Sequence, residues 1–181
     1  MIYYIGDTHF GHSAVIGFDN RPFENVEEMD RQLIALWNSR VTSNDEIYIL
    51  GDFAFRNEKT FSWYLKQLKG KKHLIVGNHD GKLLKDVEAL NYFASINYYL
   101  EIADEKRRVI LSHYPLAEWN GFHRQSYHVY GHIHGNTEGV YQYMKQFDKA
   151  LNAGCMINNY LPVSLNELIE NNNFFKNNYS I

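Results

Sequence analysis

Apolar positions along the chain fall into short runs, separated by stretches with helical spacing. Runs rich in Ile, Val, Leu and Tyr cover residues 2–5, 47–50, 74–76, 96–100, 109–111, 128–130 and 150–153. Short runs of this kind, bounded by Gly, Asn, Asp or Ser, read as strands. The clearest helical pattern spans residues 26–40, where Val26, Met29, Leu33, Leu36 and Trp37 share one face. Asn25 and Glu28 are placed as its capping pair. Further helices are expected over 60–68, stopping at Gly70, over 83–90, and from Ser164, with Glu167 as its cap partner. The Asn-rich stretch 171–181 reads as irregular. Strands alternating with helices predict an α/β architecture, in a single domain over residues 1–181.

The ends of the strands change this picture. Residues 2–5 run into Gly6-Asp7, 47–50 into Gly51-Asp52, and 74–76 into Gly77-Asn78. Residues 109–111 run into Ser112-His113, and Val129-Tyr130 into Gly131-His132. Each delivers a small residue and then a possible metal ligand at the carboxyl end, the edge where open α/β sheets bind ligands. His9 follows Asp7, and His134 follows His132, two residues on. On an extended segment such pairs face one side. The pool is Asp7, His9, Asp52, Asn78, His113, His132 and His134. It is too large for one tetrahedral ion and suits two ions sharing a carboxylate. Oxygen and imidazole donors without sulfur fit Mn²⁺, Fe, Zn or Ni. Two such ions clamp the attacking and leaving oxygens of phosphoryl transfer.

Composition adds exclusions. With 181 residues, 45% hydrophobic and 22% charged, the chain suits one soluble domain. Net charge is -3, so composition gives no support to a nucleic-acid partner. Lys106-Arg107-Arg108 reads as a hairpin. Cys155 is single, which rules out an intramolecular disulfide, and it reads as a buried strand end. No run approaches a membrane span, and the first residues carry no signal-peptide pattern. A cytoplasmic protein without a membrane partner is therefore expected.

Asp7-Thr8-His9, Gly51-Asp52, Gly77-Asn78-His79-Asp80, His113 and Gly131-His132-Ile133-His134 resemble, in order, the motif set of the calcineurin-like metallophosphoesterases. The resemblance runs from residue 3 to about residue 155. His9-Phe10-Gly11-His12, Asn20-Arg21-Pro22-Phe23 and Glu28-Met29-Asp30 are similar to a compact bacterial and phage branch. It implies a four-layer α/β/β/α sandwich of two mostly parallel or mixed sheets flanked by helices. It implies that Asp7, His9, Asp52 and His134 hold one divalent ion, Mn²⁺ being preferred. Asp52 bridges to a second ion held by Asn78, His113 and His132. His79, not a ligand, lies beside the substrate phosphate with Asp80 orienting it. The implied activity is hydrolysis of a small phosphoester, a diester rather than a monoester, by in-line attack of a bridging hydroxide. A nuclease shares the motif set but carries nucleic-acid-binding parts not evident here. A non-catalytic interaction scaffold of the same fold loses ligands, whereas here every position is filled.

Other polar residues carry two readings each. His12 and His123 are candidate substrate contacts, or loop supports. Arg21 and Arg56 match phosphate geometry, or make capping ion pairs. His73 and His128 open strands and read as structural. Trp119 reads as a loop anchor. Tyr98 and Tyr99 are a candidate dimer surface.

Overall fold

The computed structural model describes residues 1–178. Strands β1 (Ile2–Ile5), β2 (Glu46–Ile49), β3 (Lys71–Ile75) and β4 (Phe93–Asn97) form one sheet in that order, parallel throughout. Strands β5 (Tyr99–Asp104), β6 (Arg107–Ser112), β7 (Tyr127–Tyr130) and β8 (Ala150–Asn152) form the second. There β5 and β6 make an antiparallel hairpin, and β6, β7 and β8 run parallel. The helices are α1 (Ser13–Phe18), α2 (Val26–Arg40), α3 (Phe61–Leu65), α4 (Val87–Leu90), α5 (Val140–Met144) and α6 (Leu165–Asn178).

Alternation along the strands creates the layers. In the first sheet Tyr3, Ile5, Ile47, Ile49 and Leu74 join Met29, Leu33 and Trp37 of α2 in one buried cluster. Tyr4, Tyr48 and Ile75 turn the other way and meet Val109, Leu111, Val129 and Leu151 of the second sheet. Ile110, Tyr130 and Ala150 face outward onto Trp119 and Met144. Two sheets packed face to face and flanked by helices follow, as the family resemblance implies. A bridge from Gly6 to Gly154 ties the sheets together at their carboxyl rim.

Local chemistry fixes the helix ends. Asn25 accepts from the Glu28 amide at 2.9 Å, a cap worth about 1 kcal/mol. Glu28 in turn accepts from the Glu24 amide at 2.7 Å. Ser164 and Glu167 form the expected capping box, the Ser164 amide donating to Glu167 Oε2 at 2.8 Å.

Four expectations are corrected. The run 96–100 is not one strand: the chain leaves the first sheet at Asn97 and enters the second at Tyr99. The stretch 83–90 is split by Asp86, whose carboxylate caps α4 at the Ala89 amide. Cys155 is buried but begins the 3-10 turn Cys155–Asn158 after β8. Residues 171–178 are helical, and 179–181 lie outside the described residues. Asparagine is a weak helix former, yet Asn172 is buried and replaces a missing neighbour strand. Its side chain accepts from the Asn152 amide at 2.7 Å and donates to the Asn152 carbonyl at 3.0 Å. Among the described residues, no helix is long and apolar enough to cross a membrane.

Candidate metal centre

The loops after β1, β2, β3, β6 and β7 converge on one rim and bring all seven candidate donors together. Asp52 lies at the middle. Its Oδ2 is 3.6 Å from His9 Nε2 and 3.6 Å from His113 Nε2. On one side His9 Nε2 and His134 Nε2 are 3.2 Å apart, and His134 Nε2 is 3.9 Å from Asp7 Oδ1. Asp7, His9, Asp52 and His134 thereby form a group able to hold a metal ion. On the other side Asn78 Oδ1 lies 2.9 Å from both His113 Nε2 and His132 Nδ1. Each group draws donors from both sheets.

The backbone is bent to achieve this. Asp7, His9, Asp52, His132 and His134 all have φ between 51 and 71°, a region costing non-glycine residues of order 1–3 kcal/mol each. The glycines before them leave room for donors from neighbouring loops. A side chain at Gly77 collides with the Asp52 carboxylate, and one at Gly51 collides with His113.

Electrostatics fit a cation. Asp7 and Asp52 are 0% and 1% exposed, and their only side-chain ion pairs among the described residues are with imidazoles. Burial pushes the Asp7 carboxyl up to about 6, opposed by His134 and His113. Burial, with His134 and Arg21 nearby, drives His9 down to about 2, so its ring is neutral. His113 Nδ1 donates to the Leu50 carbonyl at 2.7 Å, which turns Nε2 toward Asn78 Oδ1. Buried carboxylates and converging lone pairs are the donor set a divalent ion satisfies.

Two supporting groups escaped the sequence reading. Asp19 accepts from His134 Nδ1 at 2.8 Å, fixing the ring with Nε2 toward the centre. Burial resists charge on both, but their hydrogen bond holds His134 above and Asp19 below their ordinary pKa values. Asn152 donates to the His134 carbonyl at 2.7 Å. Neither carries a local sequence signal, since Asp19 meets a residue 115 positions away.

The remaining candidates divide. Arg21 is corrected: its side chain is 0% exposed and cannot meet a substrate. It donates to the Thr8 and Asp7 carbonyls at 2.8 and 2.9 Å and pairs with Asp19 at 2.9 Å, so it braces the Asp7 loop. Asp80 is also corrected. Its oxygens accept from the amides of Gly77, Asp52 and Phe53 at 2.8, 2.9 and 3.0 Å, which ties two donor loops together rather than orienting the His79 ring. That ring packs tilted against Phe55, with centroids 4.1 Å apart, and lies 5.5 Å from His9. His12, Arg56 and His79 share a cavity of about 370 Å³ with His9 and His134. His123 is corrected: it is exposed near Glu118 and lines a cavity with Tyr99, Trp119 and Phe122, away from every candidate donor. Trp119 is buried, and its indole donates to the Ser126 carbonyl at 3.2 Å, an anchor as expected. His73 bonds Ser95. His128 accepts from the Leu116 amide; both histidines are structural.

The chain is similar to several known proteins. An uncharacterized protein of Methanocaldococcus jannaschii, MJ1445, is 32% identical over 173 residues, covering 93% of this chain and 89% of its own. The gene 66 protein of Mycobacterium phage L5 is 35% identical over 83 residues, 44% of this chain and 39% of its own. The crystal structure of AQ665 from Aquifex aeolicus, a protein of unknown function, superposes with a TM-score of 0.73 at 29% identity, covering 94% of this chain and 98% of that one. The family description of the calcineurin-like phosphoesterases matches residues 1–174, so the chain belongs to the calcineurin-like phosphoesterase family.

Proposed function

We propose that this chain hydrolyses a phosphodiester at two divalent ions. Asp7, His9, Asp52 and His134 hold one, and Asp52, Asn78, His113 and His132 hold the other. The observation that carries the reading is the position of Asp52 Oδ2, equidistant at 3.6 Å from a histidine of each group. Two ions, when bound, ionise a water near neutral pH and draw negative charge from the phosphate oxygens. Mn²⁺ suits the mixture of oxygen and imidazole donors.

The protein's own groups supply the rest. His79 stands beside His9, outside both donor groups, with its backbone amide held by Asp52 Oδ1 at 2.8 Å. From there its ring delivers a proton to the leaving oxygen. Arg21, Asp80 and Asp19 hold the donor loops in strained conformations that a free chain would abandon. A diester is favoured because two cavities, of about 630 and 370 Å³, meet at Phe18, Asp19 and His134. Each offers space for one arm of the substrate.

The test is hydrolysis of bis(p-nitrophenyl) phosphate by protein stripped of metal and refilled with Mn²⁺. Turnover that requires the metal and disappears in Asp52→Asn supports the reading. Turnover by the stripped protein, or a fully active Asp52→Asn, overturns it.

A further inference from the structure

The smaller cavity beside the centre has a composition the chemistry of phosphate does not require. Its walls are Val15 and Phe18 of α1 and Phe55 of the loop after β2, with His12, Arg56 and His79. His12 meets both phenyl rings edge to face, at 5.0 Å for Phe55 and 6.4 Å for Phe18. The Arg56 guanidinium lies 5.3 Å from the Phe55 centroid. Two features of this cavity are costly to the free protein. Phe18 is 77% exposed, although removing such a ring from water is favourable. Arg56 adopts φ 52°, in the region that disfavours side chains.

We infer that this cavity is a subsite for a flat aromatic group on the leaving side of the phosphoester. The inference rests on the two-ion reading above and specifies the substrate it serves. Phe18, exposed to solvent, and Phe55 give the cavity an aromatic lining, against which a planar group packs better than a puckered one. Arg56 adds a cation near the same space. His79 forms part of the wall, so the group held here is the one whose oxygen receives the proton. The larger cavity, lined by Asn20, Gly135, Asn136 and Glu138 among others, is more polar and takes the other arm.

The test uses Mn²⁺-loaded protein and three phosphonates, whose carbon–phosphorus bond is not hydrolysed. Methylphosphonate reports the centre alone. Phenylphosphonate and cyclohexylphosphonate differ in flatness and aromaticity. Titration calorimetry is expected to show phenylphosphonate binding about tenfold tighter than cyclohexylphosphonate. Phe18→Ala and Phe55→Leu should bring the two within about twofold. Phe18 is exposed, so its removal does not threaten the fold. Equal affinity in the wild type, or a preference that survives both substitutions, overturns the subsite while methylphosphonate still marks the centre. Absence of Mn²⁺-dependent methylphosphonate binding overturns the two-ion reading, and the subsite with it.

Discussion

The two donor groups that share Asp52 are built differently. Asp7 and His9 are buried and His134 is half-buried, and all four donors on their side, Asp52 included, hold positive φ. Asp19 and Arg21 brace them from behind. Opposite, Asn78 is exposed and His132 is half-buried. His113 alone is fully enclosed there, fixed by the Leu50 carbonyl. Tyr114, 51% exposed, packs against His132 with ring centroids 4.4 Å apart. Rigid, desolvated donors hold an ion with little reorganisation. Under the proposed two-ion reading, the contrast would make the more buried side the place of a resident ion and the open side that of an exchangeable one.

Four measurements break or sharpen that contrast. Asp52→Asn removes the one carboxylate common to both sides. Metal analysis should show both ions weakened, and diester hydrolysis should fall more than about 10³-fold, the scale expected when a charge-stabilising group is lost. If only one side loses its ion, the two sides do not share Asp52. Next, His79→Ala should retain both ions but slow turnover by about 10²–10⁴-fold; loss of metal in this variant would make His79 a ligand.

A smaller effect separates the sides directly. Asp19→Asn should weaken the buried-side ion by about 10–100-fold and leave the other unchanged, whereas Asn78→Ala should do the reverse. Two stepwise binding constants in Mn²⁺ titrations read this out, and equal losses on both sides would dissolve the distinction. Smallest is the effect of pH. In the metal-free protein burial holds the Asp7 carboxyl near 6, and Asp19 helps hold a proton on His134. Both protons must leave when an ion binds, so uptake on the buried side should begin to weaken as pH falls through the raised pKa of His134 and fall more steeply below 6, where Asp7 also takes a proton, by at least about tenfold per unit. The open side should respond less, because Asn78 does not titrate.

The sequence discloses the donors because chain direction does the arranging. Parallel strands that end level deliver their next residues to one rim, and Asp, Asn and His at those positions are visible without coordinates. What supports the donors is hidden. Asp19, Arg21 and Asn152 act through partners far along the chain, and an arginine that suits phosphate suits carbonyl oxygens equally. The strand change at Tyr98 is also silent. Ile96-Asn97-Tyr98-Tyr99-Leu100 keeps one apolar run across two sheets, and only the register of β4 and β5 with their neighbours separates them. The helix over 171–178 was missed because composition describes the helix interior poorly when an amide side chain has backbone to satisfy.

Because each donor group draws on both sheets, the order in which the chain is made matters. The first sheet is complete by Asn97, so its residues are made before those of the second sheet. A nascent chain of that length offers Asp7, His9, Asp52 and Asn78 but lacks His113, His132 and His134. An ion met at this stage would find only part of the proposed shell. Under the proposed two-ion reading, binding would therefore require both sheets, and a bound ion would act as a rivet between two halves made at different times.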